Sequence, residues 1–157
     1  MKSTPLIQLY TDGAAKGNPG PGGYGVVLLC GAYRKEISGG YRLTTNNRME
    51  LMAVIVGLEA LKISGSQVTV YSDSTYVVNA IEKGWLQKWQ ETGFKKKKNI
   101  DLWLRYLSLQ SKYIIKFIWI KGHAGHPQNE HCDRLAVLAA SQTELPEDEG
   151  YVEESIF

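Results

Sequence analysis

Apolar and polar positions change their period several times along this chain. Leu6-Ile7-Gln8-Leu9-Tyr10 alternates as a strand does. Gly22 to Cys30 predicts a second strand with Val26-Val27-Leu28-Leu29 at its centre. Tyr33 to Ser38, after a turn at Gly31, predicts a third that is more polar and so nearer an edge, closed by Gly39-Gly40. The pattern then turns helical. Thr44-Thr45-Asn46-Asn47 supplies N-cap residues, and Arg48 to Lys62 is apolar almost all round, which predicts a helix buried on most of its surface. Val68-Thr69-Val70-Tyr71 predicts a fourth strand, Thr75 to Lys83 a helix, Ile100 to Gln110 another, and Tyr113 to Ile120 a fifth strand. A last helix starts at about Gln128 and continues through Ala139. Strand, helix, strand with a crossover of this length is a βαβ unit, so the first and fourth strands should run parallel. The chain therefore reads as a mixed α/β domain.

That order gives the acidic residues their interest. Asp12 follows the first strand and Asp73 the fourth, which puts both at one end of the sheet. Neighbouring strands lie about 5 Å apart, close enough for the two side chains to share a cation. An Asp-Gly pair such as Asp12-Gly13 more often just turns the chain, and Asp73 could simply cap a helix. Glu50 sits in the buried helix on a face otherwise apolar or small, costly for a carboxylate unless it is paired or bound to metal. A place in the first helical turn, favoured by the dipole, is the plainer account. Asp133 opens the last helix, after the glycine- and histidine-bearing loop Lys121-Gly122-His123-Ala124-Gly125-His126-Pro127, and could equally be a dipole partner.

Composition narrows the class. With 157 residues, 43% of them hydrophobic, one globular domain with a substantial core is expected. No stretch approaches a membrane span and no signal-peptide pattern precedes the first strand, so a cytoplasmic protein is expected. Cys30 and Cys132 make neither a disulfide framework nor a zinc site, and the three histidines have no zinc spacing with them. The net charge of +2 conceals a division: residues 83–121 carry ten Lys or Arg against Glu91 and Asp101, whereas residues 142–157 carry six acids and no Lys or Arg. A basic middle is a footprint for a polyanion, with nucleic acid the leading candidate. Trp85 and Lys95 to Lys98 are the surface candidates within it, and Trp103, among leucines, belongs to the core. Residues 142–157 read as an acidic, mobile tail following a domain that spans 1–141.

Asp12, Glu50, Asp73 and Asp133 offer oxygen ligands only, which select hard cations such as Mg²⁺ or Mn²⁺. Two such ions about 4 Å apart can activate a water and stabilise a leaving oxygen on phosphorus. Beside a basic segment, that chemistry reads as phosphodiester hydrolysis. A non-catalytic binding module would have no use for four mutually repelling acids.

The runs Tyr-Thr-Asp-Gly at 10–13, Gly-Asn-Pro-Gly-Pro-Gly-Gly-Tyr-Gly at 17–25, Thr-Thr-Asn-Asn-Arg-Met-Glu-Leu-Met-Ala at 44–53, Ser-Asp-Ser at 72–74 and Lys-Gly-His-Ala-Gly-His-Pro-Gln-Asn-Glu-His-Cys-Asp at 121–133 resemble bacterial ribonuclease H type 1. The resemblance covers residues 6 to 141. It implies a five-stranded mixed sheet of order 3-2-1-4-5 flanked by helices, and endonucleolytic cleavage of the RNA strand of an RNA–DNA hybrid, leaving 3′-hydroxyl and 5′-phosphate ends. By position, the family's metal-binding acids match Asp12, Glu50, Asp73 and Asp133, and its loop histidine, which assists the attacking water or product release, matches His123. Gly13, Asn18, Thr45, Asn46 and Asn47 fall where the family contacts the hybrid, Thr45 near a DNA-strand phosphate pocket. Trp85 and Lys95, Lys96, Lys97 and Lys98 resemble its basic protrusion. Thr75 stands where the family often has a Gln that touches substrate. A monomer with no obligate protein partner is expected. A recombinase or proofreading exonuclease on the same sheet is the competing reading, but such exonucleases resemble Asp-x-Glu at the first strand, where this chain has Asp12-Gly13-Ala14.

Overall fold

In the computed structural model, which describes residues 6–122 and 125–152, the strands form one five-stranded sheet of order β3-β2-β1-β4-β5. They are β1 (Leu6–Ala15), β2 (Gly20–Cys30), β3 (Tyr33–Thr44), β4 (Gln67–Ser72) and β5 (Ile114–Trp119), and the helices are α1 (Asn46–Glu59), α2 (Thr75–Glu82), α3 (Trp85–Glu91), α4 (Ile100–Gln110) and α5 (Pro127–Ala140). β1, β2 and β3 form an antiparallel meander, and β1, β4 and β5 run parallel.

α1 fills the space over the centre of the sheet. Met49, Leu51, Ala53, Val54, Ile55 and Leu58 are wholly buried, as its all-round apolar pattern requires. Thr45 caps it, its hydroxyl accepting from the Arg48 amide. α4 packs beside α1, where Trp103 is buried edge-on to Trp89 and Tyr106. α5 covers β1, β2 and β3. It lies so close that a Cβ on Gly23 or Gly25 would fall 2.3 Å from the Ala136 carbonyl oxygen or 2.2 Å from that of Cys132. The glycine run of β2 thus seats a helix.

Three expectations are corrected. Asp12 does not end its strand: β1 stays paired with β2 as far as Ala15↔Gly22, because the glycine-rich segment of β2 continues the ladder. What ends near Asp12 is the parallel pairing with β4, whose last pair is Tyr10↔Tyr71. Gly39 and Gly40 lie inside β3, which runs on to Thr44, and a short helix, α3, occupies part of the basic segment.

The third correction concerns the carboxy-terminal stretch. Residues 142–152, expected to be mobile, lie against the body. The Arg42 amide donates to the Pro146 carbonyl (2.8 Å), and Arg42 pairs with Glu147. Asp148 is buried, its carboxylate accepting from Thr44 Oγ1 (2.7 Å) and from Arg48 Nε (2.7 Å) and Nη2 (3.0 Å). On its other edge the Arg48 guanidinium makes two bonds to Asp101 (2.9 and 2.8 Å). One buried cation ties α1, α4 and the carboxy-terminal strap together. Although burial of Asp101 opposes its charge, Arg48 holds its carboxyl below the usual range.

Candidate active site

Asp12 and Asp73 stand two residues beyond Tyr10 and Tyr71, the last parallel pair, and so at the same level of the sheet. That place, outside the carboxyl ends of parallel strands, is where open α/β sheets bind ligands. Glu50 reaches the spot from α1. One oxygen from each of Asp12, Glu50 and Asp73 lies within 4.8 Å of the others.

The convergence has a local cause. Gly13 presses against the first turns of α1, where a Cβ would lie 2.3 Å from the Met49 carbonyl carbon and 2.4 Å from the Glu50 nitrogen. Only glycine permits that approach. It brings the Gly13 amide to both carboxylates: it donates to Asp12 Oδ1 (2.9 Å) and to Glu50 Oε1. The space that the missing Gly13 side chain leaves is taken by a helix.

The plainer accounts of these acids fail on position. Ser74, not Asp73, caps α2, its hydroxyl accepting from Val77 N (3.2 Å). Glu50 lies beyond the first turn of α1, which holds no acid, and Asp133 lies beyond the first turn of α5, where Glu130 is the acid. Asp12 and Glu50 are 6% and 8% exposed, and among the described residues no cationic side chain bonds to either. Burial, then the charge of Asp73, pushes Asp12 up to about 7, against the opposing hydrogen bond with Glu50; Asp133 adds a smaller push. Burial and the Asp12 charge raise Glu50 well above the usual range. Buried carboxylates with all-oxygen chemistry and no countercharge fit a hard divalent cation. Asp133 is outside the cluster of three but close enough to act on Asp12 through its charge. His123 lies outside the described residues.

The expected substrate residues fall into two groups. Asn18, Thr45, Asn47, Lys97 and Lys98 line one cavity of about 740 Å³, between the β1–β2 loop, the start of α1 and the start of α4. Asn46 ties this cavity to β1: its amide donates to Asn18 Oδ1 (3.0 Å), and its own Oδ1 accepts from the Ala15 amide (2.6 Å). Trp85, Lys95 and Lys96 are exposed outside the cavity lining. The ammonium groups of Lys83 and Lys97 lie 5.6 and 5.2 Å from the ring centres of Trp85 and Trp89. Phe94, buried amid exposed neighbours, anchors the lysine loop, in which Phe94, Lys96 and Asn99 have left-handed backbones.

Sequence reasoning missed Asn99, Arg48 and the strap. Asn99 lines the cavity and is held on both sides, donating to Tyr76 Oη (3.0 Å) and accepting from Arg48 Nη1 (3.3 Å). Gly150, Tyr151 and Val152 close the same cavity. The Asn-Asn-Arg-Met-Glu run at 46–50 was a signal for Arg48, whose partners stand far away in sequence.

Fold and site together define a class: an α/β domain with a cation-ready carboxylate cluster at the sheet's parallel end and a basic groove beside it. The RNase H family model matches residues 5–141, and the chain belongs to that family. It is 57% identical over 155 residues to a Ribonuclease H of Rippkaea orientalis, covering 96% of this chain and 94% of the relative. It is 60% identical over 150 residues to a Ribonuclease H of Syntrophus aciditrophicus, covering 92% and 86%. Among solved structures it is similar to LC9-RNase H1, described as a type 1 RNase H with the type 2 active-site motif (TM-score 0.80, 30% identity, 98% of this chain and 80% of that one). It is also similar to LC11-RNase H1 solved in complex with an RNA/DNA hybrid (TM-score 0.63, 28% identity, 85% and 96%).

Proposed function

We propose that this ribonuclease H hydrolyses the RNA strand of RNA–DNA hybrids endonucleolytically, using two Mg²⁺ ions, with Mn²⁺ as a substitute, and leaving 3′-hydroxyl and 5′-phosphate ends. The observation that carries the reading is the convergence of Asp12, Glu50 and Asp73, to which no cationic side chain among the described residues bonds. Family membership and the hybrid bound by a similar enzyme support the substrate. Asp12, Glu50 and Asp73 would hold the metal, with Asp133 as the fourth ligand. The bound ions would supply Lewis-acid activation of a water and stabilisation of the leaving oxygen.

The remaining work falls to the chain's own groups. The Gly13 amide orients two carboxylates at once. Thr45 starts α1 and Glu50 follows five residues on, a rise of about 7.5 Å, so the cavity and the carboxylates can engage different parts of one duplex. Asn18, Thr45, Asn47 and Asn99 offer hydrogen bonds in the cavity, and Lys97 and Lys98 offer charge to a phosphate backbone. Trp85, Lys95 and Lys96 extend that charged surface. Telling RNA from DNA requires contact with the 2′-hydroxyl of one strand, which we assign to the residues around Gly13, Asn18 and Asn46. His123 is assigned to assisting the attacking water or product release. The enzyme is taken to act in the cytoplasm as a monomer; no helix of the described residues is long and apolar enough to cross a membrane.

The test is cleavage of labelled RNA–DNA hybrid, RNA duplex and DNA duplex, each with Mg²⁺, Mn²⁺ or chelator. Cleavage of the hybrid's RNA strand alone, abolished by chelator, is expected. Equal cleavage of the RNA duplex, or activity in chelator, would overturn the reading.

A further inference from the structure

Asp73 differs from its two partners in how it is held. Asp12 and Glu50 share the Gly13 amide, but Asp73 sits in the link between the end of β4 at Ser72 and the cap of α2 at Ser74. Its carbonyl lies past the last pair of the β4–β5 ladder, Ser72↔Trp119. The ladder is extended by one bond, Ile120 N to Ser72 O (3.0 Å), and the next carbonyl is taken by a side chain: the Trp119 indole Nε1–H donates to the Asp73 carbonyl (3.0 Å). Trp119 is 49% exposed, so burial alone does not explain an indole at the end of an edge strand. A second contact comes from the same strand's exit. A Cβ on Gly122 would lie 2.6 Å from Asp73 Oδ2, 3.5 Å from its Cγ and 3.6 Å from its Cβ. Gly122 has no left-handed backbone to require glycine; a Cβ there would have to displace the Asp73 carboxylate.

The geometry points to Trp119 and Gly122 as positioning residues for Asp73: the indole fixes its backbone, and the bare backbone of Gly122 sets the space in which its carboxylate turns toward Asp12 and Glu50. Neither touches the reacting atoms. Both act through Asp73, as hydrogen-bonded neighbours of metal ligands do. The inference rests on the reading of Asp73 as a metal ligand.

The test is Mn²⁺ binding to the full chain by calorimetry without nucleic acid, for the parent, Asp73→Asn, Trp119→Phe and Gly122→Ala. Trp119→Phe keeps an aromatic ring and deletes only the donor. It should weaken Mn²⁺ binding about 10-fold, and Gly122→Ala should do the same by displacing Oδ2. The KM for hybrid at saturating metal should stay within about twofold for Trp119→Phe, a split that general loosening of the fold would not give. As a second readout, the Trp119 indole N–H resonance should shift on Mg²⁺ addition in the parent and not in Asp73→Asn. If Asp73→Asn binds Mn²⁺ as the parent does, the metal assignment itself fails. If Asp73→Asn loses binding while Trp119→Phe and Gly122→Ala retain the parent's affinity, the positioning role alone is overturned. Should Trp119→Phe not fold, Gly122→Ala and the indole resonance decide.

Discussion

This chain buries carboxylates in two places and treats them in opposite ways. Asp148 and Asp101 flank Arg48, whose guanidinium donates two bonds to each, and Thr44 adds another to Asp148. Asp12 and Glu50 are about as buried as Asp148, yet share one backbone amide and face Asp73. The first cluster carries its countercharge within the chain and joins α1, α4 and the strap. The second has none among the described residues, and burial with the neighbouring acidic charge pushes Asp12 and Glu50 toward protonation. Buried charge that is internally compensated holds a fold together; buried charge that is not marks where an outside cation belongs.

Substitutions can break this contrast, and the largest effect belongs to the uncompensated cluster. Asp12→Asn should lower Mg²⁺-dependent hybrid cleavage by at least about 10³-fold, the loss of several kcal/mol of transition-state stabilisation, while the circular dichroism spectrum stays that of the parent. Turnover near the parental rate would remove Asp12 from the catalytic centre. In the compensated cluster the damage should be to stability. Arg48→Ala leaves two acids facing each other and should cost about 3–5 kcal/mol in denaturant unfolding. A cost under about 1 kcal/mol would mean that the pair is no more than a surface contact.

Gly13→Ala should sharpen the account of why the first cluster converges. The new methyl meets the backbone of α1 and should destabilise the protein by about 1–3 kcal/mol, with cleavage falling further than the stability loss explains. Retained activity would show that the shared amide is not needed. The smallest effect is expected in the basic segment. Neutralising Lys95 to Lys98 should reduce the salt dependence of hybrid binding by up to about 3 units of slope, and an unchanged slope would place the run away from phosphate.

The two clusters also differ in how far they could be read from sequence. Asp12 and Asp73 were legible because each follows an apolar run that alternation identifies as a strand, and the βαβ rule sets those two runs parallel and side by side. Glu50 was legible as a charge inside an apolar helix. The Arg48 network was not. Its partners stand 53 and 100 residues away, and Asp148 lies in an acidic stretch that composition cannot tell from a loose tail. The continuation of β1 past Asp12 was hidden for a related reason: it pairs with glycines, which carry no strand signal, and the seat they make for α5 shows only in three dimensions. Within the basic segment the four lysines were plain, but not Phe94 as their anchor or Asn99 as part of the groove.

The contrast between the clusters predicts opposite signs in a single measurement, the unfolding free energy of Asp12→Asn and of Asp148→Asn in chelator as pH rises from 4.5 to 8. Asp12 is raised in the folded state, so between its unfolded value near 4 and its folded value of about 7 the native protein binds more protons than the unfolded chain. The parent's stability should therefore fall as pH rises through that window. Asp12→Asn should flatten that fall and be more stable than the parent at pH 8, by up to about 4 kcal/mol, whereas Asp148→Asn should be less stable than the parent by about 1–3 kcal/mol. If both substitutions destabilise the metal-free protein at pH 8, the carboxylates at the head of the sheet carry no uncompensated charge, and the central claim is wrong.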